Sequence, residues 1–161
     1  MNCHHVVAVC LALIGLSGCS ADFILEFDFP SADAFVACTT VEVQAVPAPS
    51  GENPCPSLIR NAQVGGLTAP LFSTGSVPIC VLSNGSIDIS NVPNGRLAYV
   101  AVARDRNGDA MLTACTITDV YETREGVVLT FTPTSTLRDI IDVGQIPASC
   151  TVLQYCGGTG C

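Results

Sequence analysis

Two apolar runs separated by a short polar segment form the clearest hydrophobic pattern in the chain. Leu97–Ala103 and Ala110–Ile117 flank Asn107-Gly108, and Asn-Gly suits the two positive-φ positions of a type I′ turn. We therefore predict a β-hairpin. Both faces of the first run are apolar or small, so this strand is expected in the middle of a sheet, covered on both sides. The predicted opposite pairs are Arg106 with Asp109, Val102 with Thr113, and Val100 with Cys115.

Further strands are predicted where apolar and polar residues alternate. In residues 23–29 every second residue is large and apolar, so Glu26 and Asp28 are expected on the opposite, solvated face. Asn94-Gly95 is expected to turn the chain into the central strand. The other predicted strands are Phe35–Val46, with Val41, Val43 and Ala45 on one face, Ile79–Ser83 and Ser86–Ser90 as a second hairpin around Asn84-Gly85, and Val127–Thr132.

The overall pattern predicts an all-β protein. We expect a single antiparallel β-sandwich domain over residues 23–133, with a short helical segment near residues 56–62, where Pro56 can start a helix. A second helical segment is expected near residues 135–143, ended by Gly144. It belongs to a helical and Cys-rich C-terminal extension, residues 134–161. The tail of this extension, Cys150–Cys161, has too little apolar surface to hold itself in place without disulfides.

The N-terminus has the features of an export signal. Val6–Ile14 is an apolar run too short to span a bilayer, and Leu16-Ser17-Gly18-Cys19 follows it. This tetrapeptide resembles the lipobox of bacterial lipoproteins, although residues 1–5 contain no Lys or Arg. The resemblance implies removal of residues 1–18, with a diacylglyceryl thioether on Cys19 and usually a third acyl chain on its amine. The alternative is an ordinary secretory peptide whose cysteine happens to follow glycine.

A lipidated Cys19 places the protein in the bacterial cell envelope. Its lipid would be the contact with the membrane, and residues 19–22 would be the lipidated N-terminus and a short tether. Two or three acyl chains anchor a protein stably. The residue after Cys19 is Ser20 rather than the aspartate that retains enterobacterial lipoproteins at the inner membrane, so we expect the outer membrane.

Cysteine usage indicates the same oxidising compartment. Seven cysteines follow Cys19, and in an exported chain they are disulfide candidates. Because seven is odd, we expect three bridges and one free thiol. Cys115 is expected to pair with Cys80 or Cys38, and the tail cysteines mostly with one another. The seven candidates are Cys38, Cys55, Cys80, Cys115, Cys150, Cys156 and Cys161.

Charge and composition exclude several functions. The net charge of −8 repels phosphates, so no nucleic acid partner is expected. The chain has no lysine, and its two histidines, His4 and His5, leave with the signal. This excludes Ser-His-Asp triads, Cys-His pairs and Schiff-base lysines. Carboxylate pairs remain, but the chain has no tryptophan to stack on sugars. We expect no enzyme, no cofactor and no metal site.

Asp105, Asn107 and Asp109 place oxygen atoms at the first, third and fifth positions of a segment that resembles the start of a Ca²⁺ loop. An EF-hand would need a bidentate glutamate where Thr116 stands. We therefore predict a simple hairpin turn, in which replacing either aspartate by alanine costs little stability.

Residues 87–108 carry one further resemblance. Ile87-Asp88-Ile89-Ser90-Asn91-Val92-Pro93-Asn94-Gly95, the strand after it and Asp105-Arg106-Asn107-Gly108 are similar to the carboxypeptidase regulatory-like, or transthyretin-like, β-sandwich. The resemblance implies a non-catalytic accessory module. Two functions remain open: a structural or interaction module that contacts an envelope protein or polysaccharide, and a binding protein for a small ligand or Ca²⁺.

Overall fold

The computed structural model describes residues 20–120, 126–142 and 150–158. Strands predominate, and helices near residues 56–62 and 135–143 are present as predicted, although Gly144 lies outside the described residues. The elements in chain order are β1 (Ser20–Asp28), α1 (Ala32–Val36), β2 (Thr40–Pro47), α2 (Cys55–Val64), β3 (Phe72–Ser73), β4 (Val77–Pro78), a 3-10 helix (Ile79–Leu82), β5 (Ser86–Pro93), β6 (Gly95–Arg104), β7 (Ala110–Val120), β8 (Val127–Thr130), β9 (Thr132–Pro133), α3 (Ser135–Asp142) and α4 (Val152–Cys156).

The strands form two sheets. The small sheet has the order β5-β1-β8, and the large sheet has the order β3-β2-β6-β7-β9, with β4 also paired to β2. β1 is antiparallel to β5 but parallel to β8, with Leu25 beside Val127. The prediction of a purely antiparallel arrangement is therefore wrong for this pair. A parallel pair needs a long connection between its strands, and here nearly the whole large sheet lies between them in the chain.

One hydrophobic core joins the two sheets. The small sheet contributes Leu25 and Leu129, and the large sheet contributes Val43, Tyr99 and Leu112 to the same cluster of buried side chains. The predicted alternation is confirmed in β1, where Leu25 is buried and the outward side chains of Glu26 and Asp28 are exposed. Burying each large aliphatic side chain stabilises the fold by roughly 1.5–3 kcal/mol.

The β6–β7 hairpin is present, and β6 lies between β2 and β7 as predicted. The predicted pairs Val102–Thr113 and Val100–Cys115 are confirmed. The turn itself differs. The register shifts by one residue where Arg104 pairs with Ala110, so Arg106 and Asp109 lie in a longer loop and do not pair across the ladder.

Helix α2 explains why β6 is buried on both faces. One face of β6 belongs to the core between the sheets, and on the other face Ala98 and Val100 pack against Leu58 of α2. The guanidinium of Arg104 donates hydrogen bonds to the carbonyls of Ala62 (2.6 Å) and Gln63 (3.2 Å) near the C-terminal end of α2. A cation is favourable there because the last helical carbonyls lack intrahelical partners.

Residues 35–46 form a helix followed by a strand, which corrects the prediction of one continuous strand. The cause is Ser31, whose Oγ accepts a hydrogen bond from the Ala34 amide (3.1 Å) and caps α1. The helix turns Phe35 into the core. From Thr40 onwards the strand forms as predicted, and the inward side chains of β2 join the core between the sheets.

The predicted hairpin around Asn84-Gly85 is also wrong. Residues before the turn form a 3-10 helix, in which Ile79 and Leu82 are both buried. This helix repeats every three residues, so a pair three apart shares a face, whereas a strand would separate them. The strand that follows, β5, pairs with β1 instead, and the amide of Phe27 donates to the Gly85 carbonyl (2.8 Å).

The two helices of the C-terminal extension pack against different elements: α3 contacts β7 and β9, and α4 contacts α1. In α3, Leu137 is fully buried. Helix α4 begins with a capping box in which Thr151 and Gln154 exchange side-chain and backbone hydrogen bonds. The Tyr155 hydroxyl donates to the Cys38 carbonyl (2.9 Å), so this five-residue helix is tied to the segment between α1 and β2.

Candidate functional site

Two of the predicted site residues, Cys19 and Cys161, lie outside the described residues. β1 already includes Ser20, the residue that follows Cys19. Among the described residues, no helix has the length and apolar character needed to cross a bilayer.

Two disulfides join distant parts of the chain. Cys55 at the start of α2 is bonded to Cys115 on β7, and Cys80 in the 3-10 helix is bonded to Cys156 in α4. Cys150 is disulfide-bonded as well. The predicted pairing of Cys115 is therefore wrong, because Cys115 pairs with neither Cys80 nor Cys38. In the tail, Cys156 pairs outside it and is an exception to the predicted pairing of the tail cysteines mostly with one another. The reason is that α2 and α4, which sequence spacing does not position, each place a cysteine against the rest of the fold.

Cys38 is the free thiol among the described cysteines, and it is buried. Its Sγ donates to the Ala34 carbonyl (3.4 Å). Burial and, as a smaller cause, the nearby negative charge of Asp105 together raise the pKa of this thiol to about 12. The reactive form of cysteine is the thiolate, so Cys38 is unreactive at neutral pH.

The loop between β6 and β7 is organised by the carboxylate of Asp105. Its Oδ1 accepts hydrogen bonds from the amides of Asn107 (2.9 Å) and Asp109 (2.9 Å), and its Oδ2 accepts one from the Asn107 side chain (3.1 Å). Gly108 has a φ of +89°, whereas Asn107 does not adopt a positive φ. A type I′ turn needs both. The hydrogen bonds accepted by Asp105 therefore stabilise a longer turn, which is its bracing role in this loop.

We expect Asp105→Ala to lower the free energy of unfolding by about 1–2 kcal/mol, because it removes acceptors for two backbone amides. This differs from the expectation drawn from the sequence alone. Asp109→Ala is the matched control, since Asp109 is exposed, and it should change stability by less than about 0.5 kcal/mol. Urea denaturation of both variants measures the difference, and equal losses would contradict the bracing role.

The effect of Ca²⁺ on thermal unfolding is a second test of the same loop. A bound ion at one hundred times its dissociation constant would add about 2.7 kcal/mol to the stability. We expect melting curves with millimolar Ca²⁺ and with chelator to superimpose, because Asp105 already uses both oxygens within the turn. A higher melting temperature with Ca²⁺, lost in Asp109→Ala, would identify a metal loop instead.

A surface cleft lies where β1 ends, and it consists of two open depressions that share Gly85. We call it the Gly85 cleft. The first depression has a volume of about 270 Å³ and a polar, acidic lining. β1 places the two carboxylates on its outward face by the period-two alternation of a strand. The main lining residues are Glu26, Asp28, Asn84, Gly85, Ser86 and Val128.

The second depression has a volume of about 280 Å³ and a mostly apolar lining. The ring of Phe29, half-buried, meets the ring of Phe35 edge-on, with 4.9 Å between the ring centroids. On its other side Phe29 stacks on Phe131 at 4.7 Å. Leu82 of the 3-10 helix and Val152 of α4 complete this wall. The Cys80–Cys156 bridge and the Tyr155 hydroxyl hold α4 in place, so they also hold one side of the cleft.

The sequence did not predict this cleft. It indicates the outward position of Glu26 and Asp28, but it predicts a hairpin turn at Asn84-Gly85 rather than a cleft. Phe29, Leu82 and Val152 come from three distant segments, which only the tertiary structure brings together. Ser31 was the local signal that was missed, because its cap starts the helix that carries Phe35 to the site.

No protein-family model matches the chain, and no curated protein or solved structure matches it either. The similarity of residues 87–108 to the transthyretin-like sandwich therefore depends on those residues alone. The features of this chain that bear on its function are the lipobox-like tetrapeptide, the disulfides and the Gly85 cleft.

Proposed function

We propose that this protein is a lipid-anchored lipoprotein of the bacterial cell envelope whose two-sheet domain is a non-catalytic interaction module. The observation that carries this proposal is the lipobox-like Leu16-Ser17-Gly18-Cys19, placed directly before β1 at Ser20. A chain anchored at Cys19 would enter its folded domain at once, so the domain would sit against the membrane surface. The serine after Cys19 favours the outer membrane.

The domain is proposed to be a β-sandwich of the transthyretin-like kind. Support comes from the single core shared by the two sheets and from β6 followed by the Asp105–Gly108 loop, which are the elements that carry the resemblance. The parallel pairing of β1 with β8 is the feature that a purely antiparallel sandwich would lack.

The non-catalytic nature of the module is supported by its side chains. Beyond residue 5 the chain has no histidine, the residue that most often acts as a general base, and it has no lysine at all. Five described cysteines are disulfide-bonded, and the Cys38 thiol is buried and protonated. A thiolate nucleophile would need a lowered pKa, whereas the pKa of Cys38 is raised.

The Gly85 cleft is better suited to a docked protein segment than to an enclosed small molecule. Both depressions are open to solvent, whereas typical ligand pockets bury most of the surface of a small molecule. A binding protein for a small ligand is the second candidate, favoured by the apolar lining around Phe29. The two candidates differ in the size of the surface that binding would cover.

The position of the cleft also fits an anchored module. A strand rises about 3.3 Å per residue, so the Asp28 end of β1 lies roughly 26 Å from Ser20. The Gly85 cleft would therefore lie well apart from the lipid on Cys19, where a partner could approach it.

Replacing the proposed lipidated residue tests the anchor. We expect Cys19→Ser to move the protein from the detergent-rich to the aqueous phase and to abolish labelling by a radioactive fatty acid, because two or three acyl chains provide the membrane affinity. Cys38→Ala is the control, since it also removes a cysteine but leaves the lipobox intact. Unchanged partitioning of Cys19→Ser would refute the lipoprotein proposal.

A further inference from the structure

We propose that the Gly85 cleft binds a protein segment that carries a basic side chain close to an aromatic or branched aliphatic one. This deepens the proposed interaction function and rests on it. The basic group would lie over Glu26 and Asp28, and the apolar group would lie against Phe29 and Val152.

The acidic depression carries two carboxylates that form no ion pair among the described residues. Glu26 and Asp28 stand two residues apart on one face of β1, so their Cα atoms are about 7 Å apart. None of the described lining residues is basic, and the ion pair recorded among the described residues, between Arg96 and Asp119, is formed elsewhere. An incoming arginine could therefore meet either carboxylate with two hydrogen bonds.

The apolar depression offers an anchor site next to that charge. Phe29 directly follows Asp28 in the chain, and its side chain remains partly exposed although Phe35 and Phe131 pack on it. Buried aromatic or aliphatic anchors in such pockets dominate binding in protein interfaces. The apolar group of the partner thus needs to follow the basic one at close spacing.

The continuity between the depressions favours an extended segment as the occupant. Gly85 belongs to both, and a Cβ built at Gly85 would meet no atom within 4 Å. The space next to Gly85, which lines both depressions, is therefore open to a bound segment. A second copy of this chain is disfavoured, because each copy carries a net charge of −8.

Selection from a random heptapeptide library displayed on phage tests the proposal with the full chain as target. We expect the enriched peptides to carry Arg or Lys within two residues of Phe, Leu, Ile or Val. A synthetic copy of the most enriched peptide should bind at least tenfold more weakly to Glu26→Gln/Asp28→Asn and at least fivefold more weakly to Val152→Ser. Glu52→Gln, an exposed carboxylate on the loop before α2, is the charge-matched control and should leave the affinity unchanged.

Other outcomes would overturn the proposal. These are the absence of enrichment, enrichment without a basic residue, equal binding to the double variant, and self-association of the chain at the cleft. Failure here is distinguishable from failure of the lipid anchor. The selection uses purified protein and is independent of Cys19, whereas the partitioning of Cys19→Ser is independent of the cleft.

Discussion

Removing the Cys55–Cys115 disulfide is expected to lower the free energy of unfolding by about 4 kcal/mol. The bridge closes a loop of 60 residues, and in the chain-entropy description a loop of that length restricts the unfolded ensemble by about this amount. It also holds α2 on the outer face of the large sheet, where Leu58 covers Ala98. Without the bridge, that face depends on apolar packing and on the Arg104 hydrogen bonds alone.

The measurement is urea denaturation of Cys55→Ala/Cys115→Ala compared with the unchanged protein. Alanine is used because a serine at the partly buried position 115 would add an unsatisfied hydroxyl. Cys38→Ala is the control for loss of a cysteine that forms no bridge, and it should cost about 1 kcal/mol or less. A loss below about 1 kcal/mol in the double variant would show that α2 is held by packing.

Phe131→Ala is expected to destabilise the fold by about 3–5 kcal/mol, the usual range for removing a buried phenylalanine ring. Phe131 is 2% exposed and lies where the chain passes from β8 in the small sheet to β9 in the large one. Its ring stacks on Phe27 and Phe29, and its amide donates to the Asp28 carbonyl (2.8 Å). The substitution leaves a cavity at the junction of the two sheets.

Phe131→Leu should cost roughly half as much, because leucine fills most of the cavity. Val128→Ala is the position-matched control on the outward side of β8, where Val128 is 49% exposed, and a surface change of this kind is worth about 0.5 kcal/mol or less. If all three variants unfolded at the same urea concentration, the aromatic cluster would not connect the sheets as described.

The sequence by itself determined the features that depend on near neighbours in the chain. The alternation of β1 predicted which side chains are buried, and the apolar runs around Asn107-Gly108 predicted the register of β6 with β7. These succeed because side-chain direction repeats every two residues in a strand and a short loop leaves few registers. The exact turn escaped prediction, since Asp105 stabilises a longer loop than Asn-Gly alone would form.

Only the tertiary structure decided which distant segments meet. The partners of Cys115 and Cys156, the parallel pairing of β1 with β8, and the Gly85 cleft all join residues far apart in the chain. Such contacts depend on how helices and sheets pack, and packing is governed by shape and buried area rather than by sequence spacing. For this reason the cysteines could be recognised as disulfide candidates while their partners could not, and the acidic residues could be placed on a face while the cleft beside them could not.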